Sequence, residues 1–173
     1  MAEHFSARQE EMEEVAPPPP PQPGPGDAVP ATEEDAAALR DPHRPPKTIA
    51  GAASIFRKAC DGGDSYENNC AHYLSDAFLR AGFAELQAPA PCVTARCGTA
   101  AKRPVRARDM WCWFKSMATH TRDTLPKNEG MWTVFQLDEA AYWGGHVIIF
   151  DSDRNVYYGT AHYPSWKQHC FKW

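Results

Sequence analysis

The stretch SYENNCAHYLSDAFLRAGF, residues 65–83, decides how this chain is read. Ala71, Tyr73, Leu74, Ala77, Phe78 and Ala81 recur every three or four residues, which predicts a helix with one apolar face. Ser75, Asp76 and Arg80 fall on the other side. Gly82 is a C-cap signal that stops the helix. Upstream, Gly62, Gly63, Asp64, Ser65, Asn68 and Asn69 make a loop, so Asn68 or Asn69 is the N-cap and Cys70 lies in the first turn. A thiol there feels the positive end of the helix dipole, which favours the thiolate, and the backbone N–H groups of that turn can hold an oxyanion.

A thiolate nucleophile needs a base, and histidine has the suitable pKa. Of the seven histidines, His146 in AYWGGHVIIFDSDRNVYYGT, residues 141–160, is the best placed. Val147, Ile148, Ile149 and Phe150 form a β-prone run bounded by Gly144 and Gly145 before it and by Asp151, Ser152, Asp153 and Arg154 after it. This predicts a hairpin with His146 at its mouth, the glycines leaving room for another backbone or a substrate. The return strand, expected over Asn155–Tyr163, offers Tyr158, Thr160 and His162 as an orienting third group, and His162 is preferred. Either residue alone is more simply structural, since cysteine is among the most buried residue types. The order of loop, Cys-headed helix, Gly-Gly-His strand and second strand is what favours catalysis.

CAHYLSDAFLRAGF, followed about seventy-five residues later by GGHVIIFD, resembles the NlpC-type and CHAP cysteine peptidases and amidases of the papain-like superfamily. The resemblance runs from about Ala52 to Tyr163. It implies an α+β fold in which a Cys-headed helix packs on a small antiparallel sheet, with Cys70 as nucleophile, His146 as base and a polar residue on the next strand as third member. Gly130-Met-Trp-Thr-Val-Phe-Gln136 is similar to the strand that precedes the His strand in that group. Tyr66, four residues before Cys70, resembles an upstream tyrosine that contacts substrate. A second amphipathic helix is predicted over Arg108–Thr121, with Met110, Trp111, Trp113, Phe114 and Met117 as its apolar set. Those aromatics suit a core, but in the resembled fold this segment lines the cleft, so Trp111 or Trp113 is a candidate wall for substrate. The chemistry implied requires no metal and no organic cofactor.

The folded part is expected to be small. Pro17–Pro21 and the Pro-Gly pairs after it cannot bury enough apolar surface to fold, so residues 1–47 read as a disordered Pro-rich arm and 48–173 as one hydrolase domain. Thr48–Ala59 is a short candidate helix, and Glu85–Val105, with Pro89, Pro91 and Pro104, an irregular loop. Of the six cysteines, Cys92 and Cys97 are the nearest candidates for a bridge, while a fully reduced form is equally allowed. Zinc is the weaker reading, because Cys92 and Cys97 have no second pair at ligand spacing.

A net charge of −4 argues against nucleic acid as a partner. The basic cluster Lys102, Arg103, Arg106 and Arg108 is either a solvated face or a site for an acidic substrate group, for which a peptidoglycan stem peptide is suitable. The first fifteen residues lack the apolar core of a signal peptide, and no run is long enough to span a membrane. Secretion would then rely on a specialised system, with the arm as a flexible leader, and a cytoplasmic location stays open. The leading expectation is hydrolysis of an amide bond in peptidoglycan peptides. Two alternatives remain: a secreted effector toxin that deamidates, cleaves or acylates a host protein, with an inhibitory immunity protein as a further partner, and a non-enzymatic binding module.

Overall fold

The computed structural model describes residues 45–173 except 64, 88, 99, 142 and 143. The Pro-rich arm expected over residues 1–47 lies, up to residue 44, outside them. Among the described residues the architecture is mixed α/β, with three helices and a small open antiparallel five-stranded sheet. The helices are α1 (Ile49–Ser54), α2 (Cys70–Arg80) and α3 (Ala107–Met117). The strands are β1 (His120–Arg122), β2 (Met131–Asp138), β3 (Gly144–Asp151), β4 (Val156–Tyr158) and β5 (Lys167–Lys172), in the order β1-β5-β2-β3-β4.

The β2-β3 pair is the spine, and its register sets Gln136 against His146 and Phe135 against Val147. Alternation along the strands sends Phe135, Val147, Ile149 and Phe171 toward the helices, where they join Leu74, Ala77, Phe78, Met110 and Phe114 in the main core. Trp132, Val134, Ile148, Phe150 and Cys170 point the other way into a second cluster closed by Leu125 and Tyr157. Burial on both faces is why Val147–Phe150 reads as an unbroken apolar run. Each fully buried side chain of this kind contributes roughly 1.5–3 kcal/mol.

Several boundaries differ from the sequence reading. α1 stops at Ser54, with Thr48 as its cap through a 2.9 Å bond from Gly51 N–H to Oγ1. α3 ends at Met117 because the chain is drawn into the sheet: Thr119 N–H donates to Lys172 C=O at 2.8 Å, and Thr121 pairs with Phe171. The return strand pairs only through Tyr158, after which the chain leaves the ladder.

The polar side of α2 is internal. Ser75, Asp76 and Arg80 are fully buried. The segment around Asp61 and the 97–103 hairpin cover that face and supply partners for it. Arg103 Nε meets Asp76 at 2.9 Å and its Nη2 meets Asp61 at 2.7 Å; Arg57 also pairs with Asp61. Arg80 Nη1 donates to Ile55 C=O at 3.0 Å, and burial lowers its pKa. Helical periodicity distinguishes apolar from polar faces but not solvent from a second polar layer. Arg103 is therefore spent on an internal ion network and is removed from any role in meeting an acidic substrate.

Cys92 is bonded to Cys112, not to Cys97. The Asp109 carboxylate, in the first turn of α3, accepts Thr94 N–H at 2.7 Å and Ala95 N–H at 3.2 Å. That holds the 92–95 loop against α3 one turn from Cys112, with a Cα–Cα distance of 5.6 Å across the bridge. Cys60, Cys70, Cys97 and Cys170 remain as thiols.

Candidate active site

Cys70 is the first residue of α2, and Asn69 stands at its N-cap position. Asn68 Oδ1 accepts the Cys70 N–H at 3.2 Å. Asn69 Oδ1 is turned instead to Tyr66 N–H at 2.9 Å and His72 Nδ1 at 3.0 Å. The two asparagines thus share the work of ordering the turn in which the thiol sits. Cys70 and Ala71 are buried in the main core, together with Val147 and Ile149 of the strand that carries His146.

His146 is buried on β3, and its Nε2 lies 2.8 Å from Ala161 C=O. A carbonyl only accepts, so the proton sits on Nε2 and Nδ1 carries the lone pair. Register explains the partner. Ile149 pairs with Tyr158, so three residues back along β3 His146 comes opposite Ala161, three residues on. Burial lowers the His146 pKa to about 4, against the opposing effect of the Ala161 bond, and His162 lowers it further. The ring is neutral at physiological pH, as a base must be.

Cys70 and His146 each bear on Tyr163. The Tyr163 ring stands edge-on to His146 with centroids 5.2 Å apart. Its hydroxyl is pushed up to about 12 by burial first and then by Cys70 and Tyr157. That hydroxyl is buried and has no hydrogen-bond partner among the described residues. On its other face the ring stacks on Trp166 at 4.0 Å. Tyr163 ends the segment searched for a third group, and its signal, an aromatic with a polar tip just past the hairpin, is not specific enough to single it out.

His162 takes a different place from the one expected. Its Nδ1 is 3.0 Å from Gln136 Nε2, and its ring stacks on Phe150 at 5.8 Å. The position beside His146 Nε2 belongs to the Ala161 carbonyl. Gln136 is the residue that organises this corner, and sequence reading missed it. Its Oε1 accepts Tyr163 N–H and its Nε2 approaches Tyr163 C=O, each at 3.0 Å, with Gln168 Oε1 at 2.9 Å. A fully buried amide on β2 thereby clamps both backbone groups of Tyr163.

Three other expectations find their positions. Tyr66 is 42 % exposed; its ring packs on His72 at 5.2 Å and its hydroxyl accepts Gly98 N–H at 3.1 Å. Trp113 is buried among Phe78, Phe83, Phe114 and Trp173, a core position rather than a cleft wall. Trp111 is half-buried, stacked on Phe135 at 4.4 Å with Lys115 Nζ 4.1 Å above it. The space beside Gly145 is filled by Phe135, whose Cζ would come 2.5 Å from an added Cβ, so this glycine admits a core ring and not a ligand.

No protein-family model, curated protein or solved structure matches this chain.

Proposed function

We propose that the chain is a cysteine hydrolase of papain-like architecture that cleaves an amide bond in peptidoglycan peptides. The observation that supports this reading is the convergence of a helix-heading Cys70 and a neutral, Nε2-protonated His146 on the same tyrosine. In the reaction, the Cys70 proton passes to His146 Nδ1 and the thiolate attacks the carbonyl carbon. The oxyanion is met by the first-turn N–H of Ala71 and the Tyr163 hydroxyl, and the Ala161 carbonyl steadies the imidazolium. His146 returns the proton to the leaving amine as the C–N bond breaks. Water, deprotonated by His146, then hydrolyses the thioester.

Wild type and Cys70→Ala, each incubated with purified peptidoglycan, test this by mass spectrometry of the soluble muropeptides. New fragments from wild type alone support the reading. Fragments from neither would transfer the same machinery to a host-protein target, as in a delivered effector held in check by an immunity protein.

One observation favours a second, non-enzymatic reading: Cys70 is 1 % and His146 3 % exposed. In a binding module both would be core. Iodoacetamide separates the two, because a nucleophile that must meet substrate is alkylated in the native chain and a core thiol is alkylated only on unfolding. No helix among the described residues is long and apolar enough to cross a membrane. Secretion through a specialised system is part of the proposal.

A further inference from the structure

On the side of α2 served by His72 lies a second group of reactive residues that the proposed reaction does not use. Cys60, His72 and Cys97 are buried at 5 %, 0 % and 1 % exposure, and their ligating atoms all lie within 4.8 Å of one another. They come from three separate pieces of chain: the loop before α2, its first turn, and the hairpin that covers its polar face. We propose that Cys60, Cys97 and His72 bind one zinc ion, which braces the amino end of the helix that carries Cys70.

The donor set is suited to that metal. Two thiolates and an imidazole are ligands that Zn2+ prefers, and tetrahedral binding at Zn–S near 2.3 Å and Zn–N near 2.0 Å puts ligand atoms roughly 3.5–3.8 Å apart. From 4.8 Å, the observed spacing needs a contraction of at most roughly 1.0–1.3 Å. A water molecule or small anion completes the coordination.

A backbone N–H points at each sulfur. Gly62 N–H donates to Cys60 Sγ at 3.4 Å and Arg103 N–H donates to Cys97 Sγ at 3.2 Å, so each sulfur already has a backbone donor to stabilise negative charge. Local backbone pairing sets both bonds: Gly63 N–H closes a turn onto Cys60 C=O at 2.9 Å, with Gly63 at φ +76°, and Cys97 N–H donates to Arg103 C=O at 2.9 Å. His72 Nδ1 bonds to Asn69 Oδ1 at 3.0 Å. Since that oxygen only accepts, Nε2 is the ring nitrogen with the lone pair, the outer-shell arrangement that fixes a ligating imidazole. Next to Cys60, Asp61 and Asp76 are both paired with arginines, Arg57, Arg80 and Arg103, so neither carboxylate is an unpaired charge beside the sulfurs. The Tyr66 ring, edge-on to His72, and its hydroxyl, bonded to Gly98 N–H, close the site from outside. Sequence spacing points to zinc only at the Cys92 and Cys97 pair, whereas the residues gathered around Cys97 lie 37 and 25 residues from it, counting from 60 and 72 to 97.

The site is tested with the full chain, reduced and stripped of metal, by titration with Co2+ and then Zn2+. Wild type is expected to take up about one equivalent of Co2+ with a thiolate-to-metal charge-transfer band, which Zn2+ abolishes. Cys60→Ser and Cys97→Ser should lose the band, Cys70→Ala and Cys170→Ser should keep it, and Asn69→Ala should weaken binding about 10- to 100-fold. The band reports the ligands directly, and circular dichroism of each variant shows whether it is folded. Absence of the band in reduced wild type overturns the proposal, whether the two thiols stay apart or are found joined as a Cys60–Cys97 disulfide on oxidation. Loss of the band in Cys70→Ala also overturns it, because the ion would then sit at the Cys70 site.

Discussion

His146 donates its Nε2 proton to the backbone carbonyl of Ala161, 2.8 Å away, so a main-chain group and not a side chain fixes the tautomer of the candidate base. A carbonyl acceptor keeps its dipole at every pH and can be removed by no single substitution at residue 161. Orientation of the imidazole is therefore sensitive to whatever holds the 161–163 backbone in place.

The first prediction concerns pH. Burial holds His146 at about 4, below its ordinary 6.5, so between those values the unfolded chain binds a proton that the folded chain refuses. Its effect on stability is absent above 6.5, and stability falls as pH drops through the window, by roughly 3 kcal/mol at completion. His162, also lowered by burial, acts in the same direction. Urea midpoints at about pH 7.5 and about pH 4.5 should differ accordingly. A folded-state NMR titration of His146 centred above about 6 would contradict the account.

Tyr163→Phe should separate structure from chemistry. The hydroxyl is buried without a partner, so its removal is expected to leave stability unchanged or raise it by about 1 kcal/mol. If the hydroxyl meets the oxyanion, kcat falls about 10²-fold while the thermal midpoint holds. A variant with full kcat assigns Tyr163 to packing alone.

Gln136→Leu removes an amide that engages His162, Gln168 and both backbone groups of Tyr163. Leaving those groups buried and unsatisfied should cost about 2–4 kcal/mol, read as a lower urea midpoint at unchanged slope. Because the change also releases the 161–163 segment, turnover should fall more than substrate affinity. Tyr163→Phe, by contrast, lowers turnover without lowering stability, so the pair of variants tells clamp from hydroxyl.

Asp76→Ala should be the most damaging change away from the sheet. Asp76 lies at the centre of the network with Arg57, Arg80 and Arg103, all buried or partly so. Removing one partner strands guanidinium charge in the interior at about 3–5 kcal/mol. Asp76→Asn, which keeps an acceptor for Asp61 N–H at 3.1 Å and for Arg103, should lose less. Equal losses in the two variants, read from thermal melts, would show the network to be held by charge alone.

The sequence made some of this legible. α2, with its thiol in the first turn, and the β3 run after Gly144 and Gly145 both follow from local periodicity and punctuation, which a short window contains. What stayed hidden depends on long-range pairing. β5 has the mixed pattern Lys167-Gln-His-Cys-Phe-Lys172 because its buried polar Gln168 faces Gln136 and not solvent. Asp76 and Arg80 read only as the polar side of a helix until Asp61 and Arg103, from distant segments, are laid against them. Side-chain chemistry favours His162 as the third group, whereas register selects the residue before it, through a carbonyl that carries no sequence signal. Cys92 found Cys112 because Asp109 anchors the intervening loop, a hydrogen-bonding fact that spacing does not encode.

The place of β5 between β1 and β2 has a kinetic consequence. During synthesis β2, β3 and β4 emerge in order and can zip together as a meander of short loops, but the open side of β2 waits for residues 167–172. Until they leave the ribosome, Val134 and Phe135 lie on an uncovered edge whose unpaired N–H and C=O groups invite pairing with another nascent copy. Arrival of β5 closes that edge and joins β1 to the sheet in one event, so a chain halted near Trp166 is expected to aggregate while one extended by seven residues, through Trp173, folds.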